Sequence, residues 1–287
     1  MRSWDFDTPG PVRLDLELPF GRVDVDTDET TTQTHVDLEG SGGDVQDLID
    51  TATVDARPRG AGHEVRVEVR RRGGFFISLG KGPDLRLRVT APAGADVVVR
   101  TKSADIRGRG RLGSAEVKTA SGDVSLDTVT GDVHVKTASG DFALSEAHGI
   151  TQVQTASGDV SLQQARGDVT VQAVSGDVWV KDARQSVHVN TVSGDQRIDA
   201  VVEGSVETQA VSGDILIGVR RGSRVYVDAN TISGATNSEL TLADAPSDDA
   251  VDGSAEDEGP MVEVRAKTVS GDVSLVRAAA PTPTQTT

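Results

Sequence analysis

The chain has no cysteine, and Trp, Tyr and Phe together make up only 3% of its 287 residues. The first absence excludes a disulfide framework, a thiol nucleophile and thiolate metal sites. The second means that any interior must be built from small branched side chains. No run approaches the roughly 20 apolar residues of a membrane span, and the opening MRSWDFDTPGPVRLDLELPFG has no stretch of seven apolar residues such as a secretory leader carries. The expectation is a cytoplasmic protein. Positive charge is also scarce. A formal net charge of -16 repels nucleic acid and anionic lipid at long range, so nucleic acid is excluded as a partner class and the charge is read as serving solubility.

What the chain has in abundance is glycine, valine and repetition. KTASGDVSL at Lys118 to Leu126 returns as KTASGDFAL at Lys136 and as QTASGDVSL at Gln154. Glycines fall at Gly122, Gly131, Gly140, Gly149, Gly158, Gly167 and Gly176, nine apart, but the units alternate between S-G-D-V-x-L and x-G-D-V-x-V-x-T. The true period is therefore eighteen. Ser103, Ser121, Ser139, Ser157, Ser175, Ser193, Ser212, Ser233 and Ser270 hold one register.

Within each unit apolar residues alternate strictly, as in Val133-His134-Val135 and Val169-Thr170-Val171, which is the mark of a strand with one buried face. Each Gly-Asp pair marks a corner, where glycine supplies positive φ and aspartate accepts a hydrogen bond from nearby backbone. A lone coil of this kind buries too little to offset the ordering of eighteen residues. Stacked coils pair each strand with its equivalent one period away, so the letters recur because the residues lie above one another, about 4.8 Å apart. The fold class expected is all-β, a parallel β-solenoid with two short strands per coil of about eighteen residues. A β-rich N-terminal region with a short helix near Asp44 to Ala52 is expected to cap it.

The domain reading is a cap over residues 1–83, with strands near Val12 to Leu18, Arg22 to Asp26 and Glu64 to Arg71, then a solenoid over 84–277. Residues 278–287, ending PTPTQTT, read as a disordered tail, and the acidic run 243–260 as a disordered insertion. That insertion would sit between a strand at Glu239 to Leu242 and one at Met261 to Val264. The C-terminal coil, closing at Val276-Arg277, is expected to form the far end of the stack.

Several motifs invite a chemical reading and fail on context. Gly108-Arg109-Gly110-Arg111-Leu112-Gly113 matches G-x-G-x-x-G, but a strand at Ala115 to Thr119 follows where a nucleotide site needs a helix. Arg166-Gly167-Asp168 spells a tripeptide read by adhesion receptors, yet two of its letters are dictated by the repeat. Asp123, Asp141, Asp159, Asp177, Asp195 and Asp214 form a column of like charges that something must offset. Either each caps N–H groups of its own corner, or divalent cations bridge the coils; a single Gly directly before Asp departs from the spacing of calcium-binding β-rolls. His35, His63, His134, His148 and His188 are scattered, and no nucleophile–base grouping can be assembled. No catalytic, cofactor-binding or metal residue is assigned, no cofactor is expected, and the chain is read as not an enzyme.

Two surface features remain. Gln154, Gln172, Asn190 and Gln209 occupy one outward position in successive coils, either as an amide ladder that steadies the stack or as a flat hydrogen-bonding surface for a partner. Arg70 to Leu79, RRRGGFFISL, reads as a strand packing the cap, with membrane contact through Phe75-Phe76 as the lesser reading.

The T-[AV]-S-G-D-V ladder, preceded by Leu85 to Gly94, LRLRVTAPAG, resembles the bacterial putative adhesin family, a β-strand-repeat domain of unknown function. The resemblance spans about residues 12 to 277. It implies a β-strand-repeat fold, a surface-attachment label, an association of some members with the cell envelope and its stress responses, and no catalytic residues to carry over. The function expected is a non-catalytic, adhesin-like interaction scaffold presenting repeated polar surfaces to a protein partner of unknown identity. The alternative is a self-assembling or membrane-associated envelope-stress protein, associating through the ends of its solenoid.

Overall fold

The computed structural model describes residues 1–42, 45–70, 84–240 and 260–278. The fold is an all-β parallel solenoid with one short helix. It divides into two compact units, residues 1–158 and 159–287.

The first unit contains β1 (Arg2–Asp7), β2 (Val12–Asp28), β3 (Gln33–Ser41), α1 (Val45–Thr51), β4 (Thr53–Arg59), β5 (Gly62–Glu68), β6 (Asp84–Pro92) and β7 (Asp96–Leu112). These lead into β8 (Ala115–Lys118), β9 (Val124–Val129), β10 (Val133–Ser139), β11 (Phe142–Ala147) and β12 (Thr151–Ser157). The seventeen-residue strands β2 and β7 each run through a corner and serve both faces of a coil, pairing in parallel from Arg13↔Asp96 to Asp26↔Arg109. On one face β5, β2, β7, β8, β10 and β12 lie side by side in parallel. On the other, β6, β2, β7, β9 and β11 do the same. The Gly21-Arg22-Val23 echo of the repeat is thus a true coil, one continuous strand where two were read from sequence.

Antiparallel strands close this unit. β4 pairs with β5, β3 with β6, and β1 with β3. Helix α1 buries Val45, Leu48 and Ile49 and contacts β3, close to the Asp44 to Ala52 span expected.

The second unit contains β13 (Val160–Ala165), β14 (Val169–Ser175), β15 (Val178–Ala183), β16 (Val187–Ser193), β17 (Gln196–Val201), β18 (Gly204–Ser212), β19 (Ile215–Val219), β20 (Arg224–Ser233), β21 (Thr236–Ser238), β22 (Met261–Ser270) and β23 (Val273–Arg277). Its register is the eighteen-residue one, Val169↔Val187 and Ser175↔Ser193, and the alternation places Val171, Val180, Val189, Ile198 and Ile217 inside, each fully buried. One inward position departs from Val/Leu chemistry. Gln196 stands between Val178 and Ile215 of the neighbouring coils; it is buried, and its Nε2 donates to Thr191 Oγ1 and to the Gln209 carbonyl, both at 2.8 Å.

The order of the last coils corrects the sequence reading. β22 pairs with β18 on one side and β20 on the other, and β23 lies likewise between β19 and β21. The last coil of the sequence is therefore inserted, and among the described residues the outermost strands of this unit are β20 and β21. The sequence reading missed a signal that was present: the coil after Ser233 has Ala235, Thr236 and Ser238 where the coil after Ser270 has Asp272, Val273 and Leu275, so it lacks the corner acceptor and the apolar face that a further coil would need. The strand read at Glu239 to Leu242 is displaced as well: β21 ends at Ser238, in register with Val273–Leu275. The acidic run 243–259, the tail 279–287 and the Phe75-Phe76 segment lie outside the described residues.

A second correction concerns the corners. Gly122, Gly140, Gly158, Gly176, Gly194, Gly213, Gly234 and Gly271 all have positive φ, but Gly131 and Gly149 do not. Between Gly122 and Gly194 positive φ belongs to the Ser-Gly corners and not to the alternate ones, although Gly204 and Gly222 adopt it at later alternate corners. The alternate corner accepts a side chain, and Gln185 stands there where Gly167 stands one coil earlier. At the Ser-Gly-Asp corner a second constraint acts: a Cβ on Gly194 would lie 2.1 Å from the Gly176 carbonyl oxygen. Stacked glycines permit that approach.

Candidate interaction surface

The aspartates at the corners bond between coils, and not within their own corner as expected. In the first unit Asp105 Oδ1 accepts the N–H of Asp123 at 3.3 Å, and Asp123 that of Asp141 at 3.0 Å. In the second, Asp159, Asp177, Asp195 and Asp214 each accept the N–H of the aspartate above, at 2.8 to 2.9 Å. The contact from Asp214 reaches Asp272, and Asp272 in turn accepts from Ala235 at 2.7 Å. Each carboxylate thus faces a positive amide dipole, which offsets the repulsion along the column. The alternate corner repeats the device, with Asp132 accepting from Ile150 and Asp168 from Ser186. Asp168 of the Arg-Gly-Asp triplet is therefore committed to the stack. Among the described residues no group of three or more His, Asp or Glu could hold a metal ion.

The Gly-rich hexapeptide runs from β7 into the corner before β8. Gly110 N–H donates to Asp127, Gly113 N–H to the Ala95 carbonyl, and Arg109 and Arg111 pair with Asp26 and Glu29 at 2.9 and 3.4 Å. A cavity of about 560 Å³ in the first unit is lined by Arg22, Glu39, Asp84, Arg86 and Asp105. Its charges are engaged with one another: Arg22 with Asp105 at 3.7 Å, and Arg86 with Glu39 at 4.0 Å and with buried Asp24 at 3.1 Å. His35, His134, His148 and His188 serve local pairs. His35 lies 2.6 Å from Asp5 and 3.1 Å from Asp37, and the hydrogen bond to Asp5 raises its pKa above the usual imidazole value. His188 meets Glu207 at 3.2 Å across a coil. The Lys118 ammonium beside Glu116 lowers that carboxyl below its ordinary range.

The outward amides behave differently from a ladder. Asn190 Nδ2 donates to His188 at 2.9 Å and Gln209 Nε2 to Glu207 at 3.1 Å, both along their own strand. Their stacking leaves a row Gln172, Asn190, Gln209, Lys267, Asn230 in vertical register. Beside it runs a feature the sequence reading missed. Val174, Val192, Val211, Val269 and Ile232 stack on the outer surface, 45% to 81% exposed, where the first unit has Ala120, Ala138 and Ala156. The [AV] variation in the repeat was the available signal: Val174, Val192 and Val211 take outward positions near the ends of β14, β16 and β18, where the alternation calls for polar residues. The two rows border a shallow groove of about 450 Å³, lined by Asn190, Gln209, Val211, Ile232, Lys267 and Val269 among others.

A flat apolar stripe flanked by amides has the chemistry of a contact surface. It holds no nucleophile, acid–base pair or metal set. Comparison with known proteins places the chain in a family. The model of the family described as Toastrack DUF4097 matches residues 15–276. The chain belongs to this family. No curated protein matches it. Solved structures similar to it include a putative adhesin of Bacteroides fragilis, 12% identical with a TM-score of 0.43, covering 95% of this chain and 96% of that one. A putative adhesin of Parabacteroides merdae is 13% identical with a TM-score of 0.35, covering 96% and 95%. A putative cell adhesion protein of Clostridium sporogenes is 10% identical with a TM-score of 0.27, covering 96% and 99%. These likenesses are distant, and the fold rests on the Toastrack match and the coil geometry.

Proposed function

We propose that this Toastrack chain is a non-catalytic interaction scaffold that binds a protein partner along the outer stripe of its second unit. The observation that supports the reading most is the row of five exposed aliphatic side chains, Val174, Val192, Val211, Val269 and Ile232, beside a row of amides. Apolar surface of this continuity on a soluble fold marks interaction sites more often than chance exposure. The aliphatic row supplies buried area and the amides fix orientation, which is the division of labour in protein interfaces. The solenoid contributes rigidity: a partner meets side chains already held in register, so little ordering entropy is lost on binding. The adhesin names of the distant neighbours agree with an interaction role and add no partner.

The test is affinity capture from the native cell with the intact chain, repeated with Val192→Asp/Val211→Asp. The reading predicts a captured protein that disappears with the double variant and survives Ser125→Asp, an exposed change on β9. Equal capture by all three proteins would remove the stripe from the account.

A further inference from the structure

The open end of the second unit is the strongest unexplained feature. β20 is ten residues long, pairs with β22 without a register shift, and has no other strand partner among the described residues. Its inward side chains show what is missing. Val262, Val264 and Ala266 of β22 are fully buried, whereas their register partners Val225, Val227 and Ala229 are only half-buried. Tyr226 and Ile232 are 56% and 81% exposed. The strand itself has no proline, no bulge and no inward charge.

The backbone fixes which groups are free to pair. Arg224 N–H donates to the Pro260 carbonyl at 2.9 Å, so Arg224 faces β22. Alternation then turns the N–H and C=O groups of Val225, Val227, Ala229 and Thr231 to the open side. A second copy of β20 can meet them in antiparallel fashion about a two-fold axis. Registers that differ by one residue would set inward faces against outward ones and are excluded. Of the remaining registers, an axis at Asp228 opposes two carboxylates. An axis at Tyr226 places Arg224 opposite Asp228 of the second copy, twice by symmetry, and joins Val225 to Val227 as a hydrogen-bonded pair.

We propose that the chain forms a two-fold homodimer by antiparallel pairing of β20 about Tyr226, extending the sheet and continuing the half-open Val225/Val227 layer across the axis. The arrangement is isologous and therefore closes at two copies. It stands apart from the outer stripe, since it uses the strand's free backbone edge.

Sedimentation of the full chain, from about 1 to about 100 μM at about 0.15 M salt so that the repulsion between two acidic chains is screened, tests this. The expected result is a monomer–dimer equilibrium with no larger species. Arg224→Asp or Asp228→Arg alone raises the dissociation constant by about tenfold or more, because two attractive cross-strand pairs become repulsive. The double swap Arg224→Asp/Asp228→Arg returns it to within about threefold of the original. Val227→Pro, which deletes an edge donor and no internal one, abolishes the dimer. If that variant fails to fold, the three charge variants at exposed positions still decide. A monomer throughout the range, a dimer indifferent to the swaps, or open-ended growth would each overturn the proposal.

Discussion

The two ends of this protein's sheets solve the same problem in opposite ways. In the first unit the outermost strands are antiparallel additions: β4 carries Arg57, Pro58 and Arg59 along its edge, and β1 is six residues of RSWDFD held to β3 by the Asp5–His35 contact. In the second unit the outermost strand among the described residues is β20, a repeat strand that is long and regular, with no proline or bulge of its own. The first end was built from residues outside the repeat, so proline and charge could be placed at will. The second was built from the repeat itself, whose residues are chosen to accept another coil on either side. A repeat that stacks well is, at its last copy, a template for the next.

Variants that break this comparison rank by the constraint they attack. Gly271→Ala is the most severe, because Gly271 has φ +141° and its Cβ would stand 2.1 Å from the Gly213 carbonyl oxygen. It strikes the inserted coil on which β20 depends. We expect a loss of about 3 kcal/mol in denaturant unfolding, from the strained backbone and the clash together. Asp214→Ala removes the acceptor that joins Asp272 to the coil below, at a cost of about 1 kcal/mol by the same measurement.

At the guarded end, His35→Gln acts through pH. The folded pKa of His35 lies above its ordinary value of about 6.5, so its contribution is complete below that value and is lost as pH rises through the folded pKa. Paired melts should show the variant less stable by about 0.5 kcal/mol at pH 5.5 and equal to the original at pH 8.5, the pair being partly solvent-screened. The smallest effect is that of Pro58→Val, which removes a guard from β4 while changing stability by under about 0.5 kcal/mol. Its signature is new concentration-dependent association in light scattering.

Much of the fold was legible because it is periodic. The eighteen-residue spacing of Ser121, Ser139 and Ser157 implied vertical register, and the alternation around Val133 and Val169 named the buried face. What repeats could not encode is order. The strands ending at Ser233 and Ser270 share the same alternation, and the one local sign of their order is that Ala235, Thr236 and Ser238 replace the Asp, Val and Leu of the coil that lies inside. The partner of each corner aspartate was misread for a related reason: Asp123 can reach its own turn or the next, and the coil spacing puts the next Asp N–H within 3.0 Å. The outer stripe escaped notice because Val192 and Val211 follow neither the inward alternation nor the outward polarity of their strands. Their role is set by stacking, which is visible only across coils.

The account rests on coils in vertical register with the last one inserted, and the absence of native cysteine allows a direct test. Ser212, Ser270 and Ser233 lie in that order on adjacent strands. Neighbours about 4.8 Å apart fall within disulfide range, while the outer two, about twice as far, do not. Under mild oxidation the pairs Ser212→Cys/Ser270→Cys and Ser233→Cys/Ser270→Cys should cross-link readily and Ser212→Cys/Ser233→Cys should not. Efficient cross-linking of the third pair, with failure of the first, would place the coils in sequence order and contradict the structure at its central point.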